Sequence, residues 1–372
     1  MRLYNIIEAI LLACIRAAWK GFIMIHEILN IWHKRKLIGQ VTLTPEQKKQ
    51  IDEFFLENYG KRVPYWWHRL YQSYTGKFDA QYLPEYIFSV RMEPRTNTRD
   101  RVFPLEDKNM LPVLFGAGPV RIPETCVMCV NGRFFDSARR IISKAEAAKI
   151  LENRGDVVAK VSMDSSSGRG VRMLSLRDGK DALTGESIEN ILGSMGANFV
   201  VQEKLRPHPA FAALHPDSIN TLRVVTYMCG DKINAAPIIM RIGRGGNSVD
   251  NAHAGGIFVG VKDDGSLTDE AYTEYQQRFT VHPDTKIVFG EYRLPFVPEI
   301  RRAAIELHGR TPALKFISWD FTVDDQNRIV LIETNLHSQA VWVVQYAHGK
   351  AFFGDDTAQM LREVSGRSKE KI

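Results

Sequence analysis

Cysteine is scarce in this chain, with four among 372 residues. That is too few for a disulfide framework, so a reducing, cytoplasmic compartment is the expectation. Long uncharged hydrophobic runs are also missing. The most apolar stretch, at the N-terminus, is interrupted by Arg2, Glu8, Arg16, Lys20 and Glu27, which leaves no run of about 18 apolar residues of the kind that spans a bilayer. Arg16 also breaks any signal-peptide core, and no small-residue cleavage site follows it. Internal repeats and low-complexity blocks are absent apart from a polar tail at 365–372. Charge of one sign is in excess only locally. The net charge is +6, yet residues 1–72 hold 11 Lys and Arg against 6 Asp and Glu, leaving 38 against 37 for the rest. A body so nearly neutral argues against a nucleic-acid-binding function.

What is present divides the chain into regions. Leu3, Ile6, Ile7, Ile10, Leu11, Cys14, Ile15, Ala18, Phe22, Ile25, Leu29 and Trp32 follow the helical i, i+3, i+4, i+7 spacing, which predicts an amphipathic helix over about 3–36. It ends in His33-Lys34-Arg35-Lys36. Two readings stand: the helix packs on its own domain, or it lies on an anionic membrane surface at the inner face. Thr44-Pro45-Glu46 is an N-cap with proline at the first helical position. Tyr65-Trp66-Trp67-His68, Tyr71 and Tyr74 read as packed core, because Lys61, Arg62 and Arg69 make too thin a basic patch for base stacking.

Beyond Arg101 short strands mix with helices. Thr125–Phe135 reads as a hairpin turning at Asn131-Gly132. Within it Cys126 and Cys129, three apart on a strand, are expected on opposite faces, with no second pair to complete a zinc site. Ser143 before Lys144-Ala145-Glu146 predicts a helix.

Three segments carry chemistry. Asp156–Val161 is a strand with Lys160 near its end, followed by the small-residue loop Asp164-Ser165-Ser166-Ser167-Gly168-Arg169-Gly170. Such a loop lets backbone N–H groups approach an anion, although it is no Walker A sequence and by itself reads better as an ordinary hairpin turn. Asn198–Lys204 is an apolar strand ending in Gln202-Glu203. Phe316–Val323 and Ile329–Asn335 read as strands joined by Asp324-Asp325-Gln326-Asn327. Antiparallel pairing brings Asp320 near Glu333 and Asn335, and the last two share a strand face. Two carboxylates and an amide oxygen are the hard donors that Mg²⁺ favours when it is shared with phosphates. The alternative is a solvated acidic hairpin edge.

In this order the motifs resemble those of the ATP-grasp superfamily. Ser218–Arg223, Arg241-Ile242-Gly243, Val249–Gly256 and Phe352–Asp355 further resemble its sugar-transfer-associated branch. The resemblance covers about residues 70–364. It departs from the family at Ser165–Arg169, where a more glycine-rich loop ending in Lys is expected.

The resemblance implies an α+β, ATP-grasp fold of two lobes enclosing a nucleotide, preceded by a mainly helical region. The implied division is 1–100 helical, 101–200 N-terminal lobe, 201–364 C-terminal lobe and 365–372 tail. By resemblance, Lys160 contacts the α- and β-phosphates of ATP, Lys108 is an earlier nucleotide-contacting lysine, and Ser166, Ser167, Gly168, Arg169 and Gly170 close over the phosphates. Gln202 and Glu203 sit at the hinge, with Glu203 taking the adenine amino group. Asp320, Glu333 and Asn335 hold one or two Mg²⁺ ions. Arg223 and Arg241 stabilise the γ-phosphate and, with Lys160, form the implied catalytic set. Asn220, Asn251, His253, Gly255 and Gly256 are the expected substrate-binding residues. His208, His215 and His337 are expected to be structural.

The implied reaction activates a carboxylate as an acylphosphate for attack by an amine or other nucleophile, on a sugar acid or glycan precursor. Two alternatives remain: a kinase acting on a hydroxyl, and a non-catalytic nucleotide-binding scaffold. Acceptor identity and oligomeric state are not legible.

Overall fold

The computed structural model describes residues 2–163, 170–246, 250–252 and 255–367 and, for residues 2–13 and 16, the backbone alone. Ser166, Ser167, Gly168, Arg169 and His253 lie outside the described residues. The chain forms two compact units: residues 1–99 with 228–232 and 337–372, and residues 100–227 with 233–336.

The first unit is helical. Its N-terminal helix runs Arg2–His33 and breaks at Lys34, whose ammonium lies 4.5 Å from the Trp342 ring. Pro45–Asn58 begins with the expected cap: the Thr44 side chain accepts from the Gln47 N–H, and the Gln47 side chain accepts from the Thr44 N–H. Trp67, Tyr71 and Tyr74 on Trp66–Thr75 are buried, and Tyr74 stacks on Tyr346 at 3.8 Å. Residues 337–364 pack within this unit. The cause is a set of buried acceptors. Glu93 accepts from the N–H groups of Ser338 (2.9 Å) and Gln339 (3.0 Å), and Gln345 exchanges two bonds with the Leu83 backbone at 2.8 and 3.0 Å.

The second unit holds two antiparallel sheets. One is ordered β3-β2-β1-β7-β4-β5-β6, from Thr125–Val130 (β1), Arg133–Asp136 (β2), Ile141–Ile142 (β3), Gly155–Val161 (β4), Val171–Arg177 (β5), Lys180–Asp181 (β6) and Phe199–Glu203 (β7). The β1–β2 turn falls at Asn131-Gly132, both with positive φ (50° and 76°), as a two-residue hairpin of this type demands. Helix Lys144–Leu151 carries the expected cap from Ser143 with Glu146. The facing of the two cysteines is corrected. The β1–β7 register shifts between Thr125 and Val127, so a bulge turns Cys126 onto the same buried cluster as Cys129. Both are free thiols.

The second sheet is ordered β13-β12-β11-β10-β8-β14-β15, with β9 paired to β8. Its strands are Thr221–Cys229 (β8), Lys232–Ala235 (β9), Ile238–Ile242 (β10), Ile257–Val261 (β11), Leu267–Tyr272 (β12), Arg278–Phe279 (β13), Phe316–Val323 (β14) and Ile329–Asn335 (β15). Alternation divides its faces. Leu222, Val224, Met240, Ile317, Trp319 and Phe321 enter one core cluster, to which the helix Val297–His308 adds Ile300, Ala304 and Leu307. The intervening residues Thr221, Arg223, Arg241, Ser318 and Asp320 take the other face.

Phe321 is fully buried in that core. Phe321→Ala is expected to lower the unfolding free energy by about 3–5 kcal/mol. Leu56→Ala, at an exposed position, should change it by less than about 0.5 kcal/mol. Denaturant titration of both variants checks the contrast.

Candidate functional site

Strand register assembles the site. Asp320 pairs with Arg223 across β14–β8 and with Glu333 across β14–β15, which makes one transverse row. Arg241 pairs with Thr221 on the same face. The Arg223 guanidinium grips Asp320 bidentately, Nε to Oδ1 and Nη2 to Oδ2, both at 2.8 Å. Arg241 donates to Asp320 Oδ2 at 3.0 Å and to Asp250 Oδ1 at 2.6 Å. Asn335 Nδ2 donates to Asp320 Oδ2 at 3.3 Å. Asp250 Oδ2 also accepts from the Thr221 N–H at 3.0 Å and its hydroxyl at 2.5 Å.

The two carboxylates that share Arg241 respond differently. Burial works to raise Asp320, but Arg223 and Arg241 outweigh it and hold the group below the usual carboxylate range. For Asp250 burial prevails over Arg241 and Thr221, and its carboxyl is pushed up. Burial opposes the charge on Arg241, yet Asp250 and Asp320 hold it firmly cationic.

Two lysines complete the cluster. Lys108 Nζ lies 3.0 Å from Glu333 Oε1, while its N–H donates to the carbonyl of Ser162 just beyond β4. Lys160, on β4, is half-buried. Desolvation lowers its ammonium to about 8, with Glu333 opposing and Lys108 assisting that shift. Gly170, where the chain re-enters β5, has φ +74°, and a Cβ there would come within 2.5 Å of Val161 Cγ2, so only glycine is comfortable at that end of the loop.

Other expected residues have different surroundings. Glu203 accepts from Arg121 Nη2 at 2.5 and 2.6 Å and from the Glu124 N–H. Buried Gln202 donates to the Pro123 carbonyl at 3.4 Å. Asn220 clamps the backbone around it. It is fully buried; Nδ2 donates to the carbonyls of Phe211 (2.8 Å) and His215 (2.9 Å), and Oδ1 accepts from Ser218 Oγ (2.9 Å) and the Gly243 N–H (3.2 Å). Those four bonds exhaust its amide. Gly256 is buried; its N–H donates to the Asn251 carbonyl at 3.0 Å, and a Cβ on it would press on the backbone of Asp250 and Asn251. Gly255 accepts from Arg244 Nε at 2.6 Å. Asn251 is half-buried beside them.

Sequence reasoning missed four participants. Thr221 was within reach, two residues from Arg223 on one strand face. Arg121 was not, since its pairing with Glu203 is distant in sequence. Asn109 and Ser162, neighbours of Lys108 and Lys160, hold buried polar atoms without a hydrogen-bond partner: both amide atoms of Asn109 and the Ser162 hydroxyl. Arg241 Nε is a third such group. Each costs about 1–3 kcal/mol while it is unsatisfied, a cost that a polar ligand relieves.

The donor set fits Mg²⁺. Asp320 Oδ2 is crowded with donors, but Oδ1 takes a single bond from Arg223 and keeps a lone pair. Glu333 is about a third exposed, and a half-turn of the Asn335 amide presents its oxygen. Among the described residues no group of three or more His, Cys, Asp or Glu is arranged to hold a metal. An ion here would therefore draw its remaining ligands from phosphate and water, the habit of Mg²⁺.

A family model described as sugar-transfer associated ATP-grasp matches residues 87–360. No curated protein sequence matches the chain. Similar solved structures include the D-Ala:D-Ser ligase VanG of Enterococcus faecalis (14% identity over 70% of this chain and 61% of that one, TM-score 0.42). A biotin carboxylase of Campylobacter jejuni (12%, 72% and 47%, TM-score 0.41) is also similar, as is the D-alanine-D-alanine ligase of Coxiella burnetii (10%, 70% and 58%, TM-score 0.39). The chain thus spans less than two thirds of the length of these proteins.

Asp320→Asn leaves the Arg223 guanidinium without its counter-charge and Arg241 with Asp250 alone, and it is expected to cost about 3 kcal/mol of stability near neutral pH. Because the folded pKa of Asp320 is depressed, its contribution is complete above the unfolded value, 3.8, and is lost as pH falls through the lower folded value. Denaturation midpoints of wild type and variant should therefore converge only in strong acid.

Proposed function

The chain belongs to the sugar-transfer-associated ATP-grasp family, and from that premise we propose that it is an ATP- and Mg²⁺-dependent ligase that activates a carboxylate. The observation that carries this reading is the row Arg223–Asp320–Glu333 with Arg241, Lys108 and Lys160 gathered around it. Four cations interleaved with three carboxylates suit a transferring phosphoryl group and its metal better than they suit any acid–base pair.

In this reading a substrate carboxylate oxygen attacks the γ-phosphorus as the bond to ADP breaks, forming an acylphosphate. A nucleophile, an amine in the leading case, then attacks the carbonyl carbon, phosphate departs, and the nitrogen loses a proton. Lys160 and Lys108 bind the polyphosphate. Arg241 Nε, unsatisfied in the protein alone, donates to a phosphoryl oxygen. Asp320, Glu333 and Asn335 would hold Mg²⁺, whose role is to neutralise phosphate charge. Asp250 orients Arg241, and Thr221 orients Asp250. Asn251, Gly255 and Gly256 border the acceptor site. A sugar acid or glycan precursor as acceptor is supported by the description of the family. The ligases among the similar structures agree with the reaction class without adding to the argument.

Lys160→Ala and Glu333→Gln should each lower carboxylate-dependent ATP turnover by about a hundredfold or more. With hydroxylamine present, wild type should accumulate a hydroxamate. A stable phosphate ester in its place would mean transfer to a hydroxyl and would overturn the ligase reading. Unchanged turnover in both variants would overturn the site.

The lysine shift supplies a further prediction. The Lys160 ammonium titrates at about 8 in the free protein, and a bound polyphosphate raises that value. Binding then takes up a proton near pH 8, and ATP affinity, level below about pH 8, declines as pH rises above it. Calorimetry in buffers of different ionisation heat measures the uptake.

A further inference from the structure

The N-terminal helix docks through an unexpected face. Within the first unit, Glu27, Ile31 and Lys34 are buried and Ile23 and Met24 half-buried, along the i, i+4, i+8 line from Ile23. The apolar stripe lies elsewhere on the helix and is uncovered: Ile15, Trp19, Phe22, Ile25, Leu29 and Trp32 are each 52–64% exposed. A contiguous apolar surface of that kind marks an interaction site.

We propose that this face is the docking surface for an anionic lipid bilayer, with the helix lying in the plane of the headgroups. Three observations select that occupant. The first is charge. Between residues 9 and 45 the only acid is Glu27, which is buried, while Lys20, Arg35 and Lys36 are exposed. Such a field attracts anionic headgroups and repels a second copy of itself. The second is composition, because Trp19, Phe22 and Trp32 are the bulky aromatic side chains favoured at the membrane interface. Trp32 also holds the Arg35 guanidinium 4.1 Å from its ring, which couples an aromatic anchor to a cation.

The third is the absence of a coiled-coil frame. Ile15, Ala18, Phe22, Ile25, Leu29 and Trp32 fit a heptad seam, but the flanking positions are Cys14, Trp19, Gly21, His26, Ile28 and His33. None of these offers the opposite-charge pairs that select a partner helix, and Trp19 and Ile28 widen the apolar face beyond a seam. Among the described residues no helix is long and apolar enough to cross a membrane, so attachment would be at the surface.

The test uses the full chain and sedimentation with phosphatidylglycerol–phosphatidylcholine vesicles. Wild type should sediment with them and should lose most binding in phosphatidylcholine alone or at high salt. Tryptophan emission should shift to the blue as Trp19 and Trp32 enter the interface. Lys20→Gln with Lys36→Gln should weaken partitioning about 25-fold, at about fivefold for each basic residue. Trp19→Glu with Phe22→Glu should abolish it with an unchanged unfolding midpoint, since both side chains are exposed. Absence of vesicle binding by wild type would overturn the proposal. So would equal binding to neutral vesicles, or a dimer in solution that Phe22→Glu dissociates and vesicles do not compete for.

Discussion

Asp320 is the constraint around which the site is built. A carboxylate buried on a sheet face must be paired to stay ionised, and the register of three strands supplies the pairing: Arg223 directly opposite on β8, and Arg241 one strand further on β10. The dependence runs both ways. Two guanidiniums this close would repel each other without Asp320 between them, and Asp250, held by Thr221, fixes the far side of Arg241. With Lys108, Lys160 and Glu333 the formal balance is four positive groups to three negative ones. A small positive excess is poorly placed to hold a polyphosphate by charge alone. It is well placed to receive one that brings its own divalent cation, and the unsatisfied Nε of Arg241 shows where the protein lacks an acceptor.

What was legible in the sequence was whatever depends on period and spacing. Antiparallel pairing of Phe316–Val323 with Ile329–Asn335 across a short turn brings Asp320 near Glu333 and Asn335, although a bulge after Asp320, and not alternation alone, sets it directly opposite Glu333. The caps at Thr44 and Ser143 and the Asn131-Gly132 turn were legible for the same local reason. What failed was whatever an extra residue or a distant partner decides. One bulge reversed the expected facing of Cys126. Asn220 sits among motifs that read as a substrate site, yet four groups, from Ser218 two residues away to Gly243 on the next strand, saturate it. Arg121 carries no signal of its own, and its partner Glu203 lies 82 residues away. The placement of 337–364 was illegible too, because acceptors such as Glu93 and Gln345 read as ordinary polar residues until their backbone partners are known.

The N-terminal helix shows a different kind of failure. Amphipathic spacing identifies a helix and its apolar stripe, and the usual inference is that the stripe faces the core. Here the buried line includes an acid and a base. Burial raises Glu27 to about 7 against the pull of Lys34, and Lys34 sits over the Trp342 ring. A helix held by such groups has a costly docked face, and docking it through Phe22, Ile25 and Leu29 would have been cheaper in desolvation. That the inexpensive face is left outside argues that its exposure serves a contact beyond the unit. The two faces are separate, so occupying the outer one requires no release of Glu27, Ile31 or Lys34. Surface attachment and the folded unit can therefore coexist, with Lys20, Arg35 and Lys36 exposed on the same helical segment as the apolar stripe.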